Sequence, residues 1–517
     1  MSPSELFLLV MFIALLGAIL SGMPAMLAIA GVPMLVAGVA GLAGEFNLNY
    51  LATYPGRVWG IMTNPLLIAV PLFVLMGVLL ERSRLAERML QVVGELMGSS
   101  SRRLVLSVLV FSALIAASTG IIGATVVMLG LVSLPAMLQA GVPRRTASGV
   151  ICASGTLGQI IPPSIVLVLL GDQIGNTYLE AQQKAGNFAP DPVSVGHLFA
   201  GALVPGLLLV ALYGLYIFLR LGPAPESAAR EKPERGPVPL TRILGTLLPP
   251  LVLIVAVLGS ILGGVATTTE AAGLGAVGAL LLAGFSRGGG GGRILIGAAG
   301  VAALVLVALR SMALLPAGGV AGSPAGMTAV LAAAVLAAGV AHAVTRLLRA
   351  GLLGGALIDT VRITGMVFGI VIAASMLSLV FRGFDGDSLV AGLMTDMPGG
   401  PWGALAMTML VVFLLGFILE AVEIIYIVVP LLGAPLLATD FSPVWIAVLL
   451  AMNLQTSFLT PPFGFALFYF RSVAPRDISS LDIYYGVMPF VAIQLLALGV
   501  LISFPELATW LPELVFH

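Results

Sequence analysis

Charge, cysteine and histidine are scarce in this chain, and each shortage removes a class of function. Only 9% of the 517 residues are charged while 59% are hydrophobic, and the mean hydropathy is +1.13. No soluble core absorbs that much apolar surface, so nearly the whole chain belongs in a bilayer as an all-α polytopic membrane protein. Its 23 basic and 23 acidic residues cancel and form no basic tract, which leaves nothing to attract nucleic acid. Cys152 is the only cysteine, so an internal disulfide is excluded; in its apolar run it reads as a small buried hydrophobe. His197, His342 and His517 stand far apart in no metal-ligand spacing. Lysine never follows glycine, so the phosphate-cradling loop ending in Gly-Lys-Ser/Thr is missing. Energy then has to come from an ion gradient or from another subunit. A membrane-embedded enzyme would need a nucleophile with its base, or clustered metal ligands; neither is visible, so no catalytic residue and no organic cofactor is expected. The N-terminus lacks the basic region of a cleavable signal, so its first apolar stretch is expected to remain as a span.

Against this apolar background two segments stand out: Ser154-Gly155-Thr156-Leu157-Gly158-Gln159-Ile160-Ile161-Pro162-Pro163 and Asn453-Leu454-Gln455-Thr456-Ser457-Phe458-Leu459-Thr460-Pro461-Pro462. Each interrupts a span with small, hydroxylated or amide residues before a proline pair. Proline removes backbone donors and glycine with Ser/Thr favours open backbone, so each helix is expected to break at membrane depth and free its carbonyls. Such backbone is tolerated in a bilayer only where it lines a protein cavity or holds an ion. Twelve stretches are long enough to cross, at about 5–21, 23–43, 65–81, 146–171, 197–220, 244–263, 266–285, 294–314, 327–345, 363–381, 444–470 and 487–505. Residues 104–140 and 401–437 are too long for one crossing and too lightly broken for two. Their midpoints, Ser118-Thr119-Gly120 and Glu420-Ala421-Val422-Glu423, read as the tips of re-entrant hairpins.

Arginines set the orientation. Arg82, Arg84, Arg88, Arg102 and Arg103 precede the first hairpin, Arg144 and Arg145 follow it, and Arg220, Arg230, Lys232, Arg235 and Arg242 lie between two later spans. The positive-inside rule makes all three groups cytoplasmic and puts the N-terminus outside. The two hairpin-plus-broken-span units then start from opposite faces, the pattern of an inverted-repeat transporter with its site at the midplane. A division follows: scaffold helices and interfacial arm 1–103, first hairpin and broken helix 104–175, scaffold 176–285 with a cytoplasmic loop 221–241, a Gly-rich linker and inserted helices 286–345, an interfacial arm and scaffold helix 346–400, second hairpin and broken helix 401–475, and a C-terminal helix 476–517. The two arms are read at 83–100 and 346–362.

At these motifs the chain resembles the large membrane (M) subunit of the tripartite ATP-independent periplasmic (TRAP) transporters. The resemblance rests on residues 153–165, on Gly264-Val265-Ala266-Thr267-Thr268-Thr269-Glu270-Ala271-Ala272, and on 416–475 with Glu420, Glu423, Pro430 and the run Phe458 to Tyr469. It covers most of the chain in the family's order. Two departures are Thr268 where the family usually has proline, and Glu420 where it often has Asp; the helices at 294–345 also lengthen the chain relative to shorter members. The resemblance implies a sodium-coupled importer of organic anions, mostly carboxylates, in the bacterial inner membrane. It also implies a periplasmic substrate-binding protein and a small four-helix membrane subunit as partners, and an elevator mechanism. A stand-alone ion-coupled carrier or antiporter of related architecture is the alternative.

Sodium is a hard cation served by carbonyl and hydroxyl oxygens. A first sodium site is expected from Ser118, Thr119 and Gly120 facing Ser154, Gly155, Thr156, Leu157, Gly158 and Pro162. Its inverted counterpart would use Gly416, Glu420, Glu423, Gln455, Thr456, Ser457, Thr460 and Pro461. Gln159, Ser164 and Gln455 are expected to meet a substrate carboxylate between the two, near helix N-termini with free N–H groups. Plainer readings compete: Ser and Thr bond back to their own helix or pack against a neighbour, and proline pairs simply kink. Glu420 and Glu423, three apart, either cap the hairpin or carry an ion or proton. Glu270 reads as a structural bond to a helix end.

Overall fold

The computed structural model describes residues 2–97, 100–119, 122–222, 239–286, 291–312 and 323–516, and among them there is no strand. The N-terminal helices are α1 (Pro3–Leu20), α2 (Ala25–Leu42), the short α3 (Tyr54–Met62), α4 (Ala69–Arg82) and α5 (Leu85–Met97). The first hairpin is α6 (Ser101–Thr119) with α7 (Ile122–Gln139). The first broken span is α8 (Arg144–Thr156), a 3-10 turn Leu157–Gln159, and α9 (Ile165–Lys184). Then come α10 (Val195–Arg220), α11 (Leu240–Leu262), α12 (Thr268–Ser286), the inserted pair α13 (Gly291–Ser311) and α14 (Pro324–Arg349), α15 (Leu352–Gly383) and α16 (Gly386–Thr395). The second hairpin is α17 (Pro401–Leu415) with α18 (Ala421–Val428), which runs through a π-turn Val429–Gly433 into α19 (Ala434–Leu437). The second broken span is α20 (Pro443–Leu459) with α21 (Phe465–Val473), and α22 (Ser480–Ser503) and α23 (Glu506–Phe516) end the chain. Among the described residues, 11 helices are long and apolar enough to cross a membrane.

Helix starts follow their capping chemistry. Thr267 and Glu270 cap α12 reciprocally: the Thr267 N–H donates to Glu270 Oε2 at 2.8 Å and the Glu270 N–H to Thr267 Oγ1 at 3.3 Å. That is the structural role expected of Glu270. The stretch 346–362, read as an interfacial arm, is divided between the last turn of α14 and the first turns of the 32-residue α15. The joint is only Ala350 and a left-handed Gly351, whose positive φ of 67° is why the charged, amphipathic sequence there hides a tight turn. The C-terminal region holds two helices rather than one, and α3 fell in a stretch given no element.

The two repeats interlock. The second arm of each hairpin packs against the post-break half of the other repeat's broken span: α7 on α21, and α18 with α19 on α9. Glycine makes the first contact possible, because a Cβ on Gly123 would sit 2.9 Å from Tyr469 and one on Gly130 2.6 Å from Val473. In the second, Gln182 Nε2 donates to the Leu437 carbonyl at 3.1 Å. α8 meets α22 closer still, since a Cβ on Gly149 would lie 2.0 Å from the Gly486 carbonyl oxygen. The inserted pair packs on α12 through Gly284 against Ala343, and on itself through Gly339 against Ala299.

The ends of the bundle differ in charge. One end carries the ion pairs Arg82 to Asp359, Arg144 to Asp477 (2.7 Å), Arg145 to Asp482 (3.0 Å) and Arg242 to Glu95 (3.1 Å). The positive-inside rule assigns this arginine-rich end to the cytoplasm. The opposite end carries a compact network of Glu180, Lys184, Arg382 and Asp387.

Candidate functional site

Both broken spans break where the glycines, hydroxyls and prolines stand. α8 ends at Thr156, and the chain turns through Leu157, Gly158 and Gln159 before α9 resumes at Ile165. α20 ends at Leu459 and α21 resumes at Phe465. Pro162–Pro163 and Pro461–Pro462 are both cis.

The hydroxyls at the breaks spend their protons locally. Thr156 Oγ1 donates to the Ala153 carbonyl at 2.9 Å, Thr456 to Met452 at 2.8 Å and Thr460 to Thr456 at 2.7 Å. This is the back-bonding expected of Thr in membrane helices, and it leaves oxygen lone pairs directed away from the carbonyl. Two α20 side chains instead tie the second hairpin: Asn453 Nδ2 donates to the Met409 carbonyl at 2.6 Å and Ser457 Oγ to the Phe413 carbonyl at 2.7 Å. Gly416 fits only because it is glycine, as a Cβ there would lie 2.3 Å from Ser457 Oγ. Gly155 has the same constraint against Val126, also at 2.3 Å.

The two breaks touch each other. Gln455 Nε2 on α20 donates to Thr156 Oγ1 on α8 at 3.4 Å. Thr156 and Gln455, assigned by sequence to different sodium sites, are therefore neighbours in the buried core. Three oxygens of the predicted site residues, Ser154 Oγ, Gln159 Oε1 and Gln455 Oε1, are buried with no hydrogen-bond partner among the described residues. Native interiors leave few such atoms, so each calls for an explanation such as a bound ion or water. A set of uncharged oxygens suits a hard monovalent cation, and among the described residues no three His, Cys, Asp or Glu side chains gather as metal ligands.

A cleft of about 180 Å³ opens between this core and the scaffold helix α15. Gln159 and Glu420 line it, as do the start of α7 at Ile122 and Gly123, and Phe458, Phe465 and Tyr469 from the second broken span; α15 contributes Ile363, Met366 and Val367. Glu423 turns back to its own hairpin, its Oε2 accepting from the Glu420 N–H at 3.1 Å as the cap of α18. Ser164 is likewise spent as a cap: its hydroxyl donates to the Gln159 carbonyl at 3.0 Å and accepts from the Leu167 N–H at 3.5 Å, and it does not line the cleft. The side chains of Ser118 and Thr119, and Gly120 altogether, lie outside the described residues. The residues left without a role by sequence reasoning are Phe465, Tyr469 and the α15 trio. Phe465 and Tyr469 are four apart on one helix face, a signal present in the sequence but shared with ordinary packing.

Paired hairpins, paired breaks and an inverted, interlocked arrangement define an all-α inverted-repeat membrane transporter fold. A solved relative in fold is the YdaH transporter of Alcanivorax borkumensis, with a TM-score of 0.55 at 15% identity over 89% of this chain and 90% of that one. The family model for the tripartite ATP-independent periplasmic transporter, DctM component, matches residues 8–316 and 297–507, and the chain belongs to that family. Similar proteins include the C4-dicarboxylate TRAP transporter large permease protein DctM of Vibrio cholerae, 26% identical over 87% of this chain and 86% of the relative. The ectoine TRAP transporter large permease protein TeaC of Halomonas elongata is 24% identical over 98% of this chain and 99% of its own length. The sialic acid permease SiaM of Vibrio cholerae is 25% identical over 96% and 97%. The two family matches overlap at 297–316, at the start of the inserted helix pair.

Proposed function

We propose that this large permease imports an organic anion, most simply a carboxylate, by coupling its movement to sodium across the bacterial inner membrane. A periplasmic binding protein delivers the substrate, and a small four-helix membrane subunit completes the complex. The observation that carries this reading is the contact of the two breaks at Thr156 and Gln455, beside the unpartnered oxygens of Ser154, Gln159 and Gln455.

Ser154, Thr156, Gln455 and Thr456 are the residues that would hold sodium, with backbone carbonyls freed at the breaks. Bound there, the ion would supply positive charge to a core that has none of its own. Gln159 faces the central cleft, where its amide can orient a substrate, and Phe458, Phe465 and Tyr469 exclude water from the apolar part. The cleft lies between the interlocked repeats and α15, so sliding of the repeats as one block along α15 would carry its contents across; this is the elevator reading, supported by the interlocking.

Uptake into proteoliposomes holding this chain with its small partner tests the proposal, with and without a sodium gradient and the cognate binding protein. Uptake that needs both is expected. Sodium-independent uptake would remove the coupling, and uptake without any binding protein would favour a stand-alone carrier.

A further inference from the structure

A second cleft, of about 420 Å³, lies at the end of the molecule opposite the arginine cluster. It continues the central cleft along the same two helices. On α15, Val367 lines the central cleft and Val371, one turn on, lines this one; on α18, Val422 and Tyr426 do the same. Its other walls come from α3 and α9.

In so apolar a chain this cleft is unusually polar, and most of its charged groups are already matched. Asp172 accepts from Asn64 Nδ2 at 2.9 Å, from Asn176 Nδ2 at 3.4 Å and from the Tyr426 hydroxyl at 3.3 Å. Arg382 pairs with Glu180 at 2.7 Å, and Lys184 completes the network with Glu180 and Asp387. Arg57 is the exception. It lines the cleft, is only half-buried, and makes no hydrogen bond or ion pair among the described residues; Arg382, Glu180, Asp387 and Tyr50 act on it only through space. The central cleft, by contrast, has no cation among the described residues that line it, and among them Glu420 alone is charged.

We propose that the outer cleft is a capture site for a carboxylate, with Arg57 as its anchor. The proposal rests on the reading above that the substrate is an organic anion. A guanidinium with five donors and no partner takes a carboxylate bidentately, and Asn176, Thr177, Ser375 and Ser378 offer further polar atoms around it. A cleft of this size falls within the ~300–1,000 Å³ of small-molecule sites. A substrate held first at Arg57 reaches the central cleft by moving along α15 and α18, away from a cation and into a site where sodium rather than arginine supplies positive charge.

Chemical protection tests this directly. The complex in detergent, without sodium, is treated with phenylglyoxal, and peptide mass spectrometry reads modification at Arg57, with Arg310 as the control. At millimolar concentration, at least one of acetate, succinate and gluconate is expected to slow Arg57 modification by about threefold or more, with dimethyl succinate inert. Arg57→Gln is expected to raise the KM for uptake by about tenfold with little change in maximal rate, and Arg57→Lys to recover part of it. A modification rate unchanged by any of the three acids, or equal protection by the diester, overturns the capture site. Sodium-driven carboxylate uptake without protection overturns it while leaving the transport reading standing; protection without sodium-driven uptake does the reverse.

Discussion

The two broken spans carry one sequence pattern and two different environments. From Val150 to Leu170 every residue around the first break is buried, and α10 closes over it with Gly206 against Ile160 and Ile161. At the second break Pro462 and Phe463 are exposed, Phe463 by 55%. The first break has a side-chain cap, Ser164, on its resumed helix, while α21 resumes at Gly464 with none. Ser154 at the first break has a hydroxyl with no partner among the described residues, while Ser457, two residues after Gln455, is tied to Phe413. The difference shows that the local pattern decides where a helix breaks, and the surrounding helices decide how tightly the break is held.

Substitutions at paired positions test that comparison, and the largest effect is expected where packing is tightest. Gly155→Ala should destabilise by about 2 kcal/mol, because Val126 is a stiff β-branched neighbour in a fully buried contact. Gly416→Ala should cost a similar amount, since Ser457 Cβ stands 2.7 Å from the added carbon and turning the hydroxyl aside breaks its bond to the Phe413 carbonyl. Thermal unfolding midpoints in detergent check both, and a negligible loss at either position would show that its close approach does not hold the break.

Next come the serines. Ser457→Ala leaves the Phe413 carbonyl without its donor and should cost about 1–2 kcal/mol. Ser154→Ala removes a hydroxyl that has no partner, so its midpoint should stay close to that of the parent while half-maximal sodium rises. A large loss of stability at Ser154 would mean that its oxygen serves the fold rather than an ion.

Thr156→Ala and Thr456→Ala should each lower apparent sodium affinity by about tenfold, the loss of roughly one neutral ligand. Unchanged sodium dependence in both variants would dismiss these residues as ligands. The smallest effect is at the caps: Ser164→Ala should lower stability by about 1 kcal/mol through its N-cap bond to Leu167. Thr460→Ala at the second break, losing only a back-bond to its own helix, should fall well below that.

Much of this architecture was legible before any coordinates. The breaks, the hairpin midpoint at Glu420, the inserted pair and the capping role of Glu270 all follow from short-range rules about proline, glycine, charge and apolar length. Most of what was not legible depends on residues far apart in the chain. Thr156 and Gln455 were placed in separate sites because nothing local says that two breaks about 300 residues apart touch. Ser164 looked like a substrate ligand because a hydroxyl after a proline pair is equally suited to capping. The outer cleft was invisible because of its long-range make-up: Arg57, Asn64, Asp172, Tyr426 and Arg382 come from five segments, each unremarkable by itself.

By itself, then, the sequence determined that the chain lives in a bilayer, that it is helical, and that two helices break at matching places in inverted halves, since all three follow from composition and from backbone chemistry within a few residues. Only the tertiary structure decided that the halves interlock, that the breaks meet at Thr156 and Gln455, and that Arg57 lines a cleft with no bonded partner among the described residues. Those depend on which apolar faces pack together, and in helices this uniformly apolar the faces are told apart by the close approach of glycines rather than by any contrast of hydropathy.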